Sequence, residues 1–164
     1  MLHIRKLETK DWEETWKVLQ PVFKAGNSYP FDPDINSDEA YQVWVTIPQH
    51  TYLAFDKDNR IVGSYYIKPN QPDLGAHVCN CGYVVAKSAR DKGVGSALYE
   101  HSEKTAISLG YRAIQFNLVV KSNQTAVKLW QKHGFEIVGT LPKAFNHKSL
   151  GYVDAYVMYK QLNT

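Results

Sequence analysis

The sequence predicts a single-domain α/β fold over residues 1–164, with one mixed sheet flanked by helices. Three observations lead there. A length of 164 residues suits one domain with one substantial core. Strand-like and helix-like apolar periods alternate along the chain in the order β-α-α-β-β-β-α-β-α-β-β. Near the middle, the apolar, β-branched segment Gly82-Tyr83-Val84-Val85-Ala86 is followed by Arg90-Asp91-Lys92-Gly93-Val94-Gly95-Ser96 and then by an amphipathic helix.

Each element has a local cause. Residues 2–7 alternate like a strand, and a helix follows from Thr9 or Asp11 to about Lys24, with Trp12, Trp16, Leu19 and Phe23 at helical spacing. The stretch from Gly26 to Asp34, rich in Pro, Asn and Asp, breaks regular structure. Ser37 or Asp38 then caps a short helix through Val45. Thr51–Phe55 and Ile61–Ile67 read as strands joined in a hairpin through Asp56–Arg60. A looser Pro69–Gly75 loop precedes the long strand that ends at Val85. In the helix after the glycines, Val94, Ala97, Leu98, His101, Thr105 and Leu109 share one stripe, and Gly110 closes it. A strand at Ala113–Val120, a helix from Asn123, and strands at Glu136–Thr140 and Tyr152–Tyr159 complete the chain.

Bulk properties exclude several classes. Hydrophobic content of 44% and charged content of 21% are ordinary for a globular chain and argue against extended disorder. A net charge of +3, carried by scattered Lys and Arg, argues against a nucleic-acid partner. No apolar run approaches the ~20 residues that cross a bilayer, so no membrane role is expected. The alternating N-terminus lacks a signal-peptide core, and a cytoplasmic location is expected by default. Cys79 and Cys81, two apart on one strand face, suit reduced thiols rather than a disulfide. No His/Cys spacing suggests a metal.

The glycine turn carries the chemistry. Two glycines at a first helical turn let the backbone approach a ligand and leave several N–H groups unpaired. With the positive end of the helix dipole and with Arg90 and Lys92 alongside, they suit a pyrophosphate. The alternative is a tight turn that only packs a helix on the sheet. Nucleotide-binding motifs fit poorly: no G-x-x-x-x-G-K-[ST] occurs, and the third glycine of the dinucleotide fingerprint is replaced by Leu98.

The R-x-x-G-x-G of Arg90–Gly95, followed some thirty residues on by Asn123-Gln124-Thr125-Ala126-Val127-Lys128-Leu129-Trp130-Gln131-Lys132-His133-Gly134-Phe135, resembles the GNAT superfamily of acetyl-CoA-dependent N-acetyltransferases. That resemblance implies a mostly antiparallel central sheet whose fourth and fifth strands splay apart to admit the pantetheine arm. It implies acetyl-CoA as co-substrate without a metal, and a small-molecule amine as acceptor. By the same resemblance the amides of Arg90, Asp91, Lys92, Gly93, Val94, Gly95 and Ser96 would bind the CoA pyrophosphate. The backbone of Tyr83 and Val85 would pair with the pantetheine, and Asn123 would touch the cofactor. A backbone N–H near Val84 or Val85 would meet the developing oxyanion. A homodimer is compatible with such a domain.

Trp130 stands where many members carry a Tyr that reprotonates the thiolate; indole N–H donates a hydrogen bond but supplies no proton. Trp130 either steadies the thiolate beside the cofactor or is simply a core aromatic. A narrower likeness, in Gln115-Phe116-Asn117-Leu118-Val119 and in Gly139–Pro142 leading to Tyr152–Ala155, is to the branch containing a yeast acetyltransferase of proline analogues, which raises amino or imino acids as acceptors. Polyamines fit the same fold.

Catalytic and acceptor-side candidates follow. Asn117 either contacts the thioester carbonyl or the acceptor, or bridges a broken sheet ladder. His77, at the start of the fourth strand, is a candidate base or a surface histidine. Tyr29 and Phe31, with Asp32 and Asp34, suit a small cationic acceptor, or form a solvated loop. Asp154 would hold an ammonium or pair with a lysine. Two other functions share the fold: a CoA-binding sensor that has lost catalysis, and a protein or peptide N-acetyltransferase, which would need an open groove.

Overall fold

The computed structural model describes residues 1–163. Among these residues seven strands form one sheet: β1 (His3–Lys6), β2 (His50–Phe55), β3 (Ile61–Pro69), β4 (Val78–Val85), β5 (Ala113–Val120), β6 (Glu136–His147) and β7 (Gly151–Gln161). Their spatial order is β1-β2-β3-β4-β5-β7-β6. Only β4 and β5 run parallel, and they pair at just two positions, Val78↔Ala113 and Cys79↔Ile114, before diverging. The other pairings are antiparallel. This is the mixed, mostly antiparallel sheet with splayed central strands that the sequence led us to expect.

Helices cover both faces. On one side α3 (Val94–Ser108) and α4 (Gln124–Lys132) pack over Tyr65, Ile67, Cys79, Ile114, Phe116 and Met158. On the other, α1 (Trp12–Ala25) and α2 (Ser37–Tyr41) close a second core of Leu19, Phe23, Trp44, Tyr66 and Val84. Both cysteines are free and buried. Among the described residues no helix is long and apolar enough to cross a membrane.

Three boundaries differ from expectation. The cap of α2 is Asn36, whose side chain accepts from Glu39 N–H while Glu39 answers to Asn36 N–H, a reciprocal pair that the adjacent Ser37 and Asp38 hide in the sequence. The helix then widens into a π-type turn, Gln42–Thr46. β6 does not stop at Thr140 but runs on to His147. Its register shifts between Leu141 and Phe145, so Pro142, which has no N–H to give, sits in a bulge rather than ending the strand.

Candidate active site

The divergence of β4 from β5 opens a cleft of about 1220 Å³ that passes through the sheet. Its chemistry begins with the β3–β4 ladder. Ala86 N–H donates to Val62 C=O and Asn70 N–H to Val78 C=O, so the even-numbered residues of β4 face β3 as hydrogen-bonded pairs. The odd-numbered Cys81, Tyr83 and Val85 turn their amides the other way, into the gap. Val84 therefore contributes a side chain but no free N–H, and of the two expected oxyanion donors only Val85 has the right orientation.

At the closed end of the gap a buried amide spans the strands. Asn80 Nδ2 donates to Gln115 C=O at 2.9 Å, and its Oδ1 accepts from Tyr66 O–H at 3.2 Å. Tyr66 reaches this position because its ring lies over Gly82, where an added Cβ would collide with Tyr66 Cε2. Bridging the broken ladder, one reading of Asn117, is thus done by Asn80. Asn117 itself sits in a β5 irregularity, lines the cleft, and is exposed, with Oδ1 accepting from Gln115 Nε2 (3.0 Å) and Nδ2 donating to Asn70 Oδ1 (2.7 Å).

On the α3–α4 side, Gly93 caps α3 in a left-handed conformation (φ 78°) with no side-chain cap, and Asp91 is left-handed too (φ 60°). The first-turn amides consequently point outward without a partner side chain. Arg90, Asp91, Gly93, Val94, Gly95 and Ser96 all line the cleft. Lys92 does not; its Nζ folds back on Ser88 C=O at 3.2 Å. Asn123 caps α4 by accepting from Ala126 N–H at 3.3 Å and also lines the cleft. Trp130 is a core aromatic, buried against Phe116 (centroids 4.7 Å) and Tyr83 (4.9 Å), and it also forms part of the cleft wall.

The other half of the cleft is aromatic. Tyr29 and Phe31 stack at 5.8 Å, both pack on Phe23, and the Tyr29 hydroxyl donates to the Tyr83 carbonyl at 2.5 Å. Burial pushes the Tyr29, Tyr66 and Cys81 groups well up from their ordinary values, so none of them ionises near neutrality. Residues absent from the sequence-based expectations complete this half. Lys68, directly opposite Asn80 in register, holds its Nζ 5.5 Å from the Tyr66 ring centroid. The period-2 pattern Tyr66-x-Lys68, with Asn80-x-Gly82 opposite, was the available signal. His147 and Leu150 enter from the tip of the β6–β7 arm, which docks on the end of α1 through Lys148 N–H to Gly26 C=O (2.9 Å).

Two candidates lie elsewhere. His77 is exposed at the foot of β4, where β4 and β5 still pair, and its carbonyl accepts from Arg112 N–H; the splay that makes the cleft opens at the opposite end of the strand. Asp154 is outside the cleft lining, and its Oδ1 accepts from Lys143 N–H at 2.9 Å, holding the β6 bulge. Asp32 turns its own loop by accepting from Asp34 N–H. Among the described residues that line the cleft, the only carboxylate is that of Asp91, in the α3 turn. Among the described residues no three His, Cys, Asp or Glu side chains are grouped to hold a metal.

Comparison with known proteins gives this geometry its context. Residues 4–135 match the acetyltransferase (GNAT) family. The L-amino acid N-acetyltransferase AaaT of Escherichia coli is 32% identical over 158 residues, 94% of each chain. The N-acetyltransferase aca1 of Schizosaccharomyces pombe is 30% identical over 148 residues, 80% of this chain and 71% of that one. Among solved structures, a GCN5-related N-acetyltransferase from Kribbella flavida superposes with a TM-score of 0.92 at 41% identity, covering 98% of both chains. Structures of this fold have also been solved with acetyl-CoA bound.

Proposed function

The chain belongs to the GNAT acetyltransferase family, whose acetyl donor is acetyl-CoA, and from that premise we propose that its acceptor is a small amine that also carries an anionic group, of the amino-acid class. One observation carries the proposal: the acceptor half of the cleft is walled by Tyr29, Phe31 and Tyr66, and its one formal charge among the described residues is the Lys68 ammonium. A polyamine would enter a wall that offers a cation and no carboxylate, at a Coulombic cost that low local polarity enlarges. An α-carboxylate would instead find Lys68. The relation to an L-amino acid N-acetyltransferase points the same way. The β6–β7 arm, docked on the end of α1, brings His147 and Leu150 into the cleft lining, which suits a small acceptor better than a protein segment.

The residues fit acetyl-CoA on two observations: the uncapped amides at the start of α3 suit its pyrophosphate, and the gap-facing amides of Tyr83 and Val85 suit its pantetheine arm. In this reading Gly93 to Ser96 supply donors, with Arg90 alongside, and Asn123 and Trp130 flank the arm. Val85 N–H polarises the acetyl oxygen. Asn117 stands at the acceptor's mouth of the cleft.

His147 is better placed to bind than to deprotonate. Its Nδ1 accepts from both Ser149 and Leu150 N–H at 3.1 Å, which fixes the neutral ring with its proton on Nε2, a donor rather than a base. In this reading the acceptor loses its ammonium proton to water, and kcat/KM should rise with unit slope up to the acceptor's own amine pKa.

The test is thiol release from acetyl-CoA with amino acids, their carboxamides, polyamines and short peptides. We expect amino acids to exceed their amides by about tenfold or more in kcat/KM, the scale of a charged hydrogen bond, and Lys68→Met to abolish the difference. Polyamines or peptides turning over faster than every amino acid would overturn the acceptor class. Saturable CoA binding with no turnover on any amine would favour a sensor.

A further inference from the structure

Behind the start of α3 lies a contact that the family motif does not explain. His133, at the end of α4, places Nε2 3.1 Å from Ser96 Oγ in the first turn of α3. Ser96 lines the cleft and His133 does not. The imidazole is held in place by Tyr99, with ring centroids 4.4 Å apart. A serine hydroxyl has one hydrogen to donate and two lone pairs. Toward a phosphate oxygen only the hydrogen is useful. If Nε2 is bare, Ser96 gives its hydrogen to the ring and turns lone pairs to the ligand. If Nε2 carries a proton, it donates to Oγ and leaves the hydroxyl hydrogen free for the phosphate.

We propose that His133 is a positioning residue for CoA: its Nε2–H holds Ser96 Oγ as an acceptor, so that the Ser96 hydroxyl donates to the pyrophosphate. The inference rests on assigning the pyrophosphate to the start of α3. Several charges face the ring: Lys132 on α4, Glu100 and Glu103 on α3, and Lys160 on β7. Burial is the foremost influence and lowers the His133 pKa; Glu100 and Glu103 raise it, while Lys132 and Lys160 lower it. The ring is thus neutral at pH 7 and free to choose its tautomer, and CoA selects the one protonated at Nε2. An imidazolium also donates from Nε2 and adds a positive charge near the phosphates. CoA affinity should therefore strengthen as pH falls through the pKa of His133 in the complex.

The experiment is calorimetric binding of CoA and of pantetheine, which lacks the pyrophosphate, to wild type and to Ser96→Ala, His133→Ala, His133→Gln and Ser96→Ala/His133→Ala. His133→Ala should weaken CoA about tenfold or more, and the double variant should be no weaker than Ser96→Ala. His133→Gln, whose amide N–H reaches the position of Nε2, should restore affinity and remove its share of the pH dependence. Pantetheine binding should be alike in all five proteins. Wild-type CoA binding no tighter than pantetheine would remove the pyrophosphate assignment itself. Additive effects of Ser96→Ala and His133→Ala would leave that assignment standing and overturn the role of His133. Nitrogen-15 spectra of the wild-type complex probe the ring directly, without a variant: Nε2 protonated supports the proposal, and a bare Nε2 overturns it.

Discussion

A Cβ added at Gly95 would come within 3.3 Å of Leu129 Cδ2 and 3.8 Å of Val85 Cγ2, whereas one added at Gly93 would meet nothing within 4 Å. Gly95 lets α3, α4 and β4 pack together. Gly93 supplies a positive φ in front of the free amides. Gly95→Val should therefore overpack the contact and cost about 1–3 kcal/mol of stability. Gly93→Ala should cost about 1–2 kcal/mol of backbone strain and bring a methyl group to the ligand's side. Thermal melts paired with CoA titrations separate them: the larger fall in melting temperature belongs to Gly95→Val, and the larger loss of affinity per unit of stability to Gly93→Ala. A Gly95→Val protein that melts like wild type would refute the packing role. The sequence disclosed these glycines because a turn before a helix is a local event. It did not disclose that they differ, since Leu129 reaches Gly95 only through the tertiary fold. The sequence left His77 and Asp154 each between two readings for the same reason: which polar side chain faces a cleft depends on where two strands part.

In the β6–β7 arm the same holds for a whole element. Pro142 reads as a stop, yet β6 continues because Asp154, across the hairpin on β7, accepts from Lys143 N–H and holds that residue at φ 51°. Helices with an apolar stripe and a closing glycine, α1 and α3 above all, were legible from local pattern; a bulge held by a partner strand was not. The arm's tip brings His147 and Leu150 over the acceptor half of the cleft. Asp154→Ala should loosen the bulge and tilt the tip. We expect KM for the amine to rise several-fold while CoA affinity stays at the wild-type value, as initial rates and calorimetry together would report. Equal losses for both substrates would mean that the arm supports the sheet rather than the acceptor.

Across the whole molecule, the first strand is tied to the helical layer by Arg5, which donates to both Asp11 carboxylate oxygens at 2.8 and 3.0 Å. That hydrogen-bonded guanidinium is the main cause holding the Asp11 carboxyl below its ordinary value, aided by Glu8 N–H, while burial opposes it. A carboxyl with a lowered folded pKa stabilises the fold above about pH 4, its unfolded value, and loses that contribution as pH falls through the folded one. Urea denaturation should therefore show wild type losing more stability than Asp11→Asn between pH 5 and the acid limit, and parallel losses would exclude this pair. A second long-range tie, from the Tyr29 hydroxyl to the Tyr83 carbonyl, joins the acceptor loop to the strand on which the donor's arm is expected to pair. If the donor's arm pairs there, it shares a single oxygen atom with Tyr29, and the arrivals of the two substrates cease to be independent events. We expect an arm amide at this oxygen to weaken the Tyr29 bond and leave Tyr29, with Phe31 stacked on it, freer to meet the amine. The expected kinetic consequence is a preferred sequence, acetyl-CoA on first and CoA off last. Product CoA should compete with acetyl-CoA but not with the amine, and Tyr29→Phe should make the order random.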